Sequence, residues 1–260
     1  MNKLVEDSIY TLREVYAEFK NPAILWSTGK DSTAALNLCR QAFVGDIPFP
    51  VIHIDTGYKF PEMYKLRDSL AKEWGFNLII ASNKEKLGKV KPEKNKFECC
   101  SKLKTEALKM CIKRYKFDAL ILAIRRDEHG IRAKERVYSP REDGFTWNYK
   151  HQSIEMWNLY NKSSKGHTRI HPTLAWKEVD VWEYVRKYNL PINPMYFSTN
   201  GQRYRSLGCA PCTSPIESTA SNINEIIEEL HTTKKAEREG RAQDKENTFN
   251  MQKLRALGYM

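Results

Sequence analysis

"LWSTGKDSTAAL", residues 25–36, runs from an apolar segment through a turn of hydroxyls, one glycine and one lysine into helix-compatible sequence. Working outward, residues 23–27 (AILWS) read as a strand and 31–43 as a helix. The alternation repeats. Strands are expected at 50–54 (PVIHI), 77–81 (NLIIA) and 118–124 (DALILAI), and helices over 4–19, 61–74 and about 101–115. The strand segments are unbroken apolar runs, the pattern of parallel strands covered on both faces. The expected fold is therefore α/β: an open, mostly parallel, Rossmann-like sheet with helices on both faces and a C-terminal extension.

The chain has 260 residues, 41% of them hydrophobic, enough for a full core. No apolar run is long enough to span a membrane. The start, MNKLVEDSIYTL, is acidic and lacks a signal-peptide core, so a cytoplasmic location is expected. After Ile124 the composition turns polar and arginine-rich. The expected division is a nucleotide-binding core at 1–124, followed by an arginine-rich loop, a cysteine motif and a helical extension at 125–260 packed on it. Within the second part, 169–188 read as a short strand and a helix, 222–231 as a helix, and 232–260 as a basic surface helix or tail.

Ligands of open parallel sheets sit beyond the carboxyl ends of the strands. The turn Ser27–Ser32 lies at such an end and opens a helix. Its backbone N–H groups, Lys30 and its hydroxyls can surround phosphate oxygens. It is not a GxxxxGK[ST] loop, because one glycine precedes the lysine and an aspartate follows it. An ordinary capped helix start is the alternative. Asp55-Thr56-Gly57 ends the second strand, where an acid and a hydroxyl can meet adenine or ribose, or simply cap the helix at 61. Arg125, Arg126, Arg132, Lys134 and Arg136 follow the fourth strand at the same edge. Cations there suit a reaction that expels pyrophosphate, and they also suit pairing with Asp127, Glu128 and Glu135.

The net charge is +11, and the stretch from Lys84 to Lys116 carries 12 Lys/Arg against 4 acids. A polyanionic partner and a solvated lysine face both fit this excess. Of six cysteines, Cys39 and Cys111 fall in helical patterns and read as packing residues. The other four form two close pairs, Cys99-Cys100 and Cys209-x-x-Cys212. A CxxC alone fits a zinc half-site or a redox pair, and four thiolates together meet the count for a cubane cluster.

The opening turn resembles the SGGKDS loop of the N-type ATP pyrophosphatases, with Thr28 in place of the first glycine. That resemblance implies cleavage of ATP between the α and β phosphates. It implies that Ser27, Thr28, Gly29, Lys30, Asp31 and Ser32 hold the pyrophosphate end, Asp31 helping to hold Mg²⁺, while Asp55, Thr56 and Gly57 face the nucleoside. Lys30, Asp31, Arg125, Arg126, Arg132 and Arg136 become the expected catalytic set. "FPVIHIDTGYKFPEMYKLRD" (49–68), "RRDEHGIRAKERVYS" (125–139), "WNLYN" (157–161), "RIHPTLAWKEVDVWEYV" (169–185), "RYRSLGC" (203–209) and the tail "EIIEELHTTKKAEREGR" extend the likeness. They are similar to the small subunit of bacterial sulfate adenylyltransferase, within the phosphoadenosine-phosphosulfate reductase superfamily.

Two features depart from that subunit: the cysteine pairs, and only "STNGQ" between "PMYF" and "RYRSLGC" where the subunit carries an insertion. The pairs Cys99, Cys100, Cys209 and Cys212 resemble the [4Fe–4S] ligand set of adenylylsulfate reductases. No cysteine follows Cys212, which argues against reductase chemistry by a C-terminal thiol. An ATP pyrophosphatase with four such cysteines and a basic chain resembles the component of that type in DNA phosphorothioation systems (Dnd and Ssp types). The leading expectation is therefore activation of a DNA backbone phosphate for sulfur insertion, with DNA, a cysteine desulfurase and other phosphorothioation proteins as partners. A homodimer is compatible with it. The alternative is the sulfurylase small subunit itself, making adenylylsulfate beside a GTPase large subunit. A third class is a non-catalytic DNA-binding module.

Overall fold

The computed structural model describes residues 1–130, 132–152, 154–160, 166–238, 241, 253–254 and 256–258. The first part runs α1 (Asn2–Glu18), β1 (Pro22–Leu25), α2 (Lys30–Ala42), β2 (Val51–Ile54), α3 (Pro61–Trp74) and β3 (Leu78–Ala81). A continuous helical run follows: α4 (Lys96–Cys100), a π-helical turn (Ser101–Thr105) and α5 (Glu106–Tyr115). It leads into β4 (Ala119–Ile121). The rest comprises β5 (Tyr138–Pro140), α6 (Glu155–Asn158), β6 (Thr168–Ile170), α7 (Glu178–Lys187), β7 (Gln202–Arg203), β8 (Ile216–Glu217) and α8 (Ile223–Thr232).

The main sheet has the order β3-β2-β1-β4-β6-β5, parallel throughout except for β5, which pairs antiparallel with β6. Strand order reverses between β1 and β4, one connection leaving to each side. A crevice opens beyond their carboxyl ends, the place where such sheets receive ligands. The mostly parallel sheet agrees with the fold expected from the apolar runs. The sheet continues past residue 124: β6 was foreseen near 169, and β5 was not.

Side chains alternate between two cores. Ile24, Trp26, Val51, Ala119, Ile121 and Ile170 pack with α1, α2 and α7. Ala23, Leu25, Ile52, Ile54, Leu120 and Leu122 pack on the opposite face with α5. Both faces are covered, which is why the strands lack polar alternation. Cys39 belongs to the first core and Cys111 to the second, in the packing role expected of them. Burial pushes the Cys111 thiol up to about 11.

The helical run starts at Lys96, five residues ahead of the expected 101, because the Asn95 side chain accepts from the Glu98 N–H and caps it. The π turn follows directly after Cys99 and Cys100. Such turns re-aim side chains within a helix and recur at functional sites.

Gly166 enters β6 at φ +75°, and a Cβ there would lie 2.4 Å from the Arg141 carbonyl oxygen. Backbone against backbone cannot yield cheaply. Gly166→Ala is expected to destabilise the fold by about 3 kcal/mol, from left-handed strain plus overpacking. Urea unfolding of the two proteins reads the difference, and equal midpoints would refute it.

No helix among the described residues is long and apolar enough to cross a membrane. Of the expected surface tail at 232–260, residues 239–240, 242–252, 255 and 259–260 lie outside the described residues. Residues 233–238 and Arg241 run back over the crevice.

Candidate active site

The loop after β1 is organised by its own hydroxyls. Ser32 Oγ donates to the Gly29 carbonyl (3.0 Å) and accepts from the Ser27 N–H (3.2 Å). Thr28 Oγ1 donates to the Ser27 carbonyl (2.6 Å). Thr28 sits at φ +63°, the left-handed region. That explains glycine at this position in the SGGKDS pattern, and it means Thr28 stores about 1–2 kcal/mol of strain. Gly29 caps α2, and a Cβ there would stand 3.3 Å from Ser27 Oγ and 3.4 Å from Tyr196 Oη. The Lys30 N–H, free at a helix start, donates to Tyr196 Oη (3.0 Å).

Lys30 and Arg125 form the centre. Both are almost fully buried. Lys30 Nζ pairs with Glu237, stands 3.3 Å from Asp31 and 3.8 Å from Glu178, and donates to the Arg205 carbonyl (3.4 Å). Arg125, which follows β4, spreads its guanidinium over Asp31, Glu237 and Asp127 (3.0 Å). Arg205 grips Glu178 through Nη2 (2.7 Å) and Nε (3.0 Å). Glu128 pairs with Arg132 and Arg238 (3.1 Å).

Burial alone would lower the Lys30 pKa, but Glu237 and Glu178 outweigh it and hold the ammonium charged beyond its ordinary range. Burial likewise opposes charge on Glu237, and Lys30 and Arg125 overcome it, keeping its carboxylate ionised. Burial and the neighbouring Glu237 push Glu178 upward, against Lys30 and Arg205. Glu128 is held far down: burial opposes its charge, and Arg132, Arg238 and Arg125 prevail.

Of the residues expected to hold ATP, Ser27, Gly29, Lys30, Asp31 and Ser32 line one crevice. Arg125 stands behind them on Asp31, and Arg132 joins the lining with Glu128. Arg126 and Arg136 turn to Glu155, at 3.2 and 3.7 Å, and are not brought in. The turn after β2 is used internally. Asp55 Oδ1 accepts from the Gly57 N–H and from Tyr64 Oη, both at 2.8 Å, while Thr56 Oγ1 lies 3.2 Å from Cys209 Sγ.

Further lining residues were not foreseen from the sequence: Lys59, Lys104, Tyr196, Arg238 and Arg241. Lys104 belongs to the basic stretch 84–116 but is buried, whereas Lys84, Lys86, Lys89, Lys91 and Lys94 are exposed. Gly208 allows the Arg241 guanidinium to lie against the backbone, since a Cβ there would come within 2.2 Å of it. The tail motif "AEREGR" was the available signal for Glu237, Arg238 and Arg241, and charge alone made it read as surface.

Cys99, Cys100, Cys209 and Cys212 are all buried, and Cys99 feels the charge of the other three. Burial, Cys100 and Cys209 push its thiol up to about 12. Burial raises Cys209 too, but Lys104, Lys59 and the Thr56 hydroxyl bring it down to about 7. Among the described residues no three His, Cys, Asp or Glu side chains converge closely enough to hold a metal ion.

A model of the phosphoadenosine phosphosulfate reductase domain matches residues 21–215. The chain belongs to that family. Within it, the chain is 39% identical to the sulfate adenylyltransferase subunit 2 of Sulfurimonas denitrificans, over 100% of this chain and 97% of that one. It is 38% identical to the subunit 2 of Colwellia psychrerythraea, over 100% and 98%. The fold of the family is shared by a phosphoadenylyl-sulfate reductase of Candida auris (TM-score 0.58, 19% identity, 80% of this chain and 90% of that one). It is also shared by the FMN adenylyltransferase of Candida glabrata solved with ATP (TM-score 0.58, 15% identity, 82% and 62%).

These relatives correct the leading functional expectation. End-to-end likeness to family members named as sulfate adenylyltransferase subunit 2 overturns activation of a DNA phosphate for phosphorothioation and favours the sulfurylase alternative. The cysteine pairs and the positive charge are local departures within a likeness that spans the whole chain. Part of that charge, Lys104 above all, belongs to the crevice rather than to a nucleic-acid face.

Proposed function

We propose that this chain is the adenylyl-transferring small subunit of a sulfate adenylyltransferase. It is an adenylyl-transferring enzyme of the reductase-domain family, and it uses ATP. In the proposed reaction a sulfate oxygen attacks the α phosphorus of ATP. The bond to the bridging oxygen breaks, and adenylylsulfate and pyrophosphate result.

The observation that carries this reading is the convergence of Lys30, Asp31 and Arg125 at the switch point of the sheet, in a chain matching sulfurylase subunits end to end. Lys30 and Arg125 take the charge that builds on the leaving pyrophosphate, a preorganised role because both are buried and already oriented. Ser27 and Ser32 supply hydroxyls to its oxygens. Arg132 and Arg238 stand beside them, against Glu128. Asp31 is the residue that would hold Mg²⁺, which would supply charge neutralisation for the leaving pyrophosphate. A second, GTPase subunit is the proposed partner.

The test is sulfate-dependent exchange of labelled pyrophosphate into ATP, run with the cognate large subunit. Exchange that rises with sulfate is expected. A folded, ATP-binding preparation that exchanges equally without sulfate, or not at all, would remove sulfate as the acceptor.

We further propose that Cys99, Cys100, Cys209 and Cys212 hold a [4Fe–4S] cluster. What supports it is the chemistry of the donors: four buried thiols within one another's field, which would have to draw together from their present spacing to share a cluster, with Lys59 and Lys104 to balance thiolate charge. Such a cluster would tie α4 to the loop after β7 as a structural link. Anaerobic protein is expected to carry about four irons per chain, lost in Cys212→Ser. Iron-free protein of unchanged stability would dismiss it.

A further inference from the structure

The crevice at the end of β1 and β4 already contains an anion, and the chain supplies it. Glu237 lies five residues beyond the end of α8 and is almost fully buried. One of its carboxylate oxygens sits on Lys30 Nζ and the other on Arg125 Nη2. These two cations come from the two strand ends that flank the switch point. A two-pronged anion bridging them occupies the place where phosphate oxygens bind in this architecture.

We propose that Glu237 is an internal stand-in for pyrophosphate, and that the segment 233–238 is a strap that holds the seat shut until a polyphosphate displaces it. The inference rests on reading this loop as the pyrophosphate seat and is independent of which acceptor attacks.

Charge supports displacement rather than joint occupancy. Around the two central cations the structure places Asp31, Asp127, Glu178 and Glu237, with Arg205 as the third cation on Glu178. That contact set carries four negative charges against three positive. A pyrophosphate entering with Glu237 in place would meet Lys30 and Arg125 with their charge already taken up by its carboxylate. With the carboxylate withdrawn, the same groups balance, and Lys30 and Arg125 are free to take oxygens of the ligand.

The strap is held by contacts that can be exchanged. Arg205 Nη1 donates to the Lys235 carbonyl (2.7 Å), and Arg238 pairs with Glu128 (3.1 Å). No apolar side chain of residues 233–238 belongs to either core. Ionic contacts without a packed core behind them are the kind that a more highly charged competitor can replace.

Two measurements test this, both with inorganic pyrophosphate and Mg²⁺ as the probe. Calorimetry should show Glu237→Gln binding pyrophosphate at least ten times more tightly than the parent chain. Hydrogen exchange on the unsubstituted protein should show the amides of 233–238 losing protection when pyrophosphate is added. The second arm does not depend on how the variant folds. Equal or weaker binding by a folded Glu237→Gln protein overturns the proposal, and so does unchanged or increased protection of 233–238. Tight binding by the variant together with absent sulfate-dependent exchange would leave the strap standing and remove only the sulfate reading.

Discussion

Lys30→Ala is expected to lower sulfate-dependent pyrophosphate exchange by at least about 10²-fold while the protein remains folded. Lys30 is the cation that comes from the loop itself, and it is nearly inaccessible to solvent. A charged hydrogen bond of that kind to a developing pyrophosphate oxygen contributes about 3–4 kcal/mol in a dry site, which is 10²–10³ in rate. The substitution has a second effect that must be separated from the first. It leaves Glu237 and Glu178 without their shared cation, and a buried pair broken on one side costs about 3–5 kcal/mol of stability. Adding Glu237→Gln to Lys30→Ala removes one of the two carboxylates left with a single cation, Arg125 for Glu237 and Arg205 for Glu178. The double variant should regain much of the lost melting temperature and none of the exchange activity. Activity within tenfold of the parent in a folded Lys30→Ala protein would take Lys30 out of the chemistry.

Acid should unfold this protein through its histidines. His53, His167 and His171 are buried in or beside the sheet. Burial is the leading cause in each case and lowers their pKa values to about 3, about 2 and about 4. Lys59 and Arg67 add to the effect at His53, and Arg169 and Arg141 at His167. His53 Nδ1 faces the Trp26 carbonyl (3.1 Å) and His171 Nδ1 the Arg136 carbonyl (2.7 Å), contacts a neutral ring can make as donor. In the unfolded chain each ring takes a proton near pH 6.5. Between that pH and the folded values the unfolded state binds more protons, so stability falls as pH falls. It is present in full above about pH 7 and is lost progressively as pH falls through the folded values, to about pH 2. Three such rings correspond to about 5 kcal/mol between pH 7 and pH 5. Denaturant unfolding at a series of pH values measures this directly. A stability that stays level from pH 7 to pH 5 would mean that these rings are protonated in the folded state.

The parts of this structure that were legible in the sequence are those where one segment carries the whole signal. The strands at 22–25, 51–54, 78–81 and 119–121 each announce themselves as apolar runs, because a strand covered on both faces has no polar side to hide. The loop Ser27–Ser32 was legible for a similar reason: its hydrogen bonds close within six residues. β5 was not, since three residues at a sheet edge leave no period to detect. The rest of the site was also hidden. Tyr196, Glu178, Arg205 and Glu237 reach Lys30 from 148 to 207 positions along the chain, and nothing local marks them. Asp55 was legible only as a choice between turn and ligand, and in the structure its carboxylate accepts from the Gly57 N–H of its own turn. Arg126 and Arg136 show the limit of counting cations near a strand end, since neighbours in sequence diverge onto Glu155.

β3 ends the sheet on one side, and Ile80 on it is about half exposed. A terminal strand of that kind is a template on which a second chain can grow. The residues that follow it are Lys84, Lys86, Lys89, Lys91 and Lys94, all facing solvent. Their like charge repels an approaching copy at the point where the sheet is open, so they act as gatekeepers against edge-to-edge growth. Like charge following an open strand edge is thus expected to disfavour self-association, and added salt would weaken that effect.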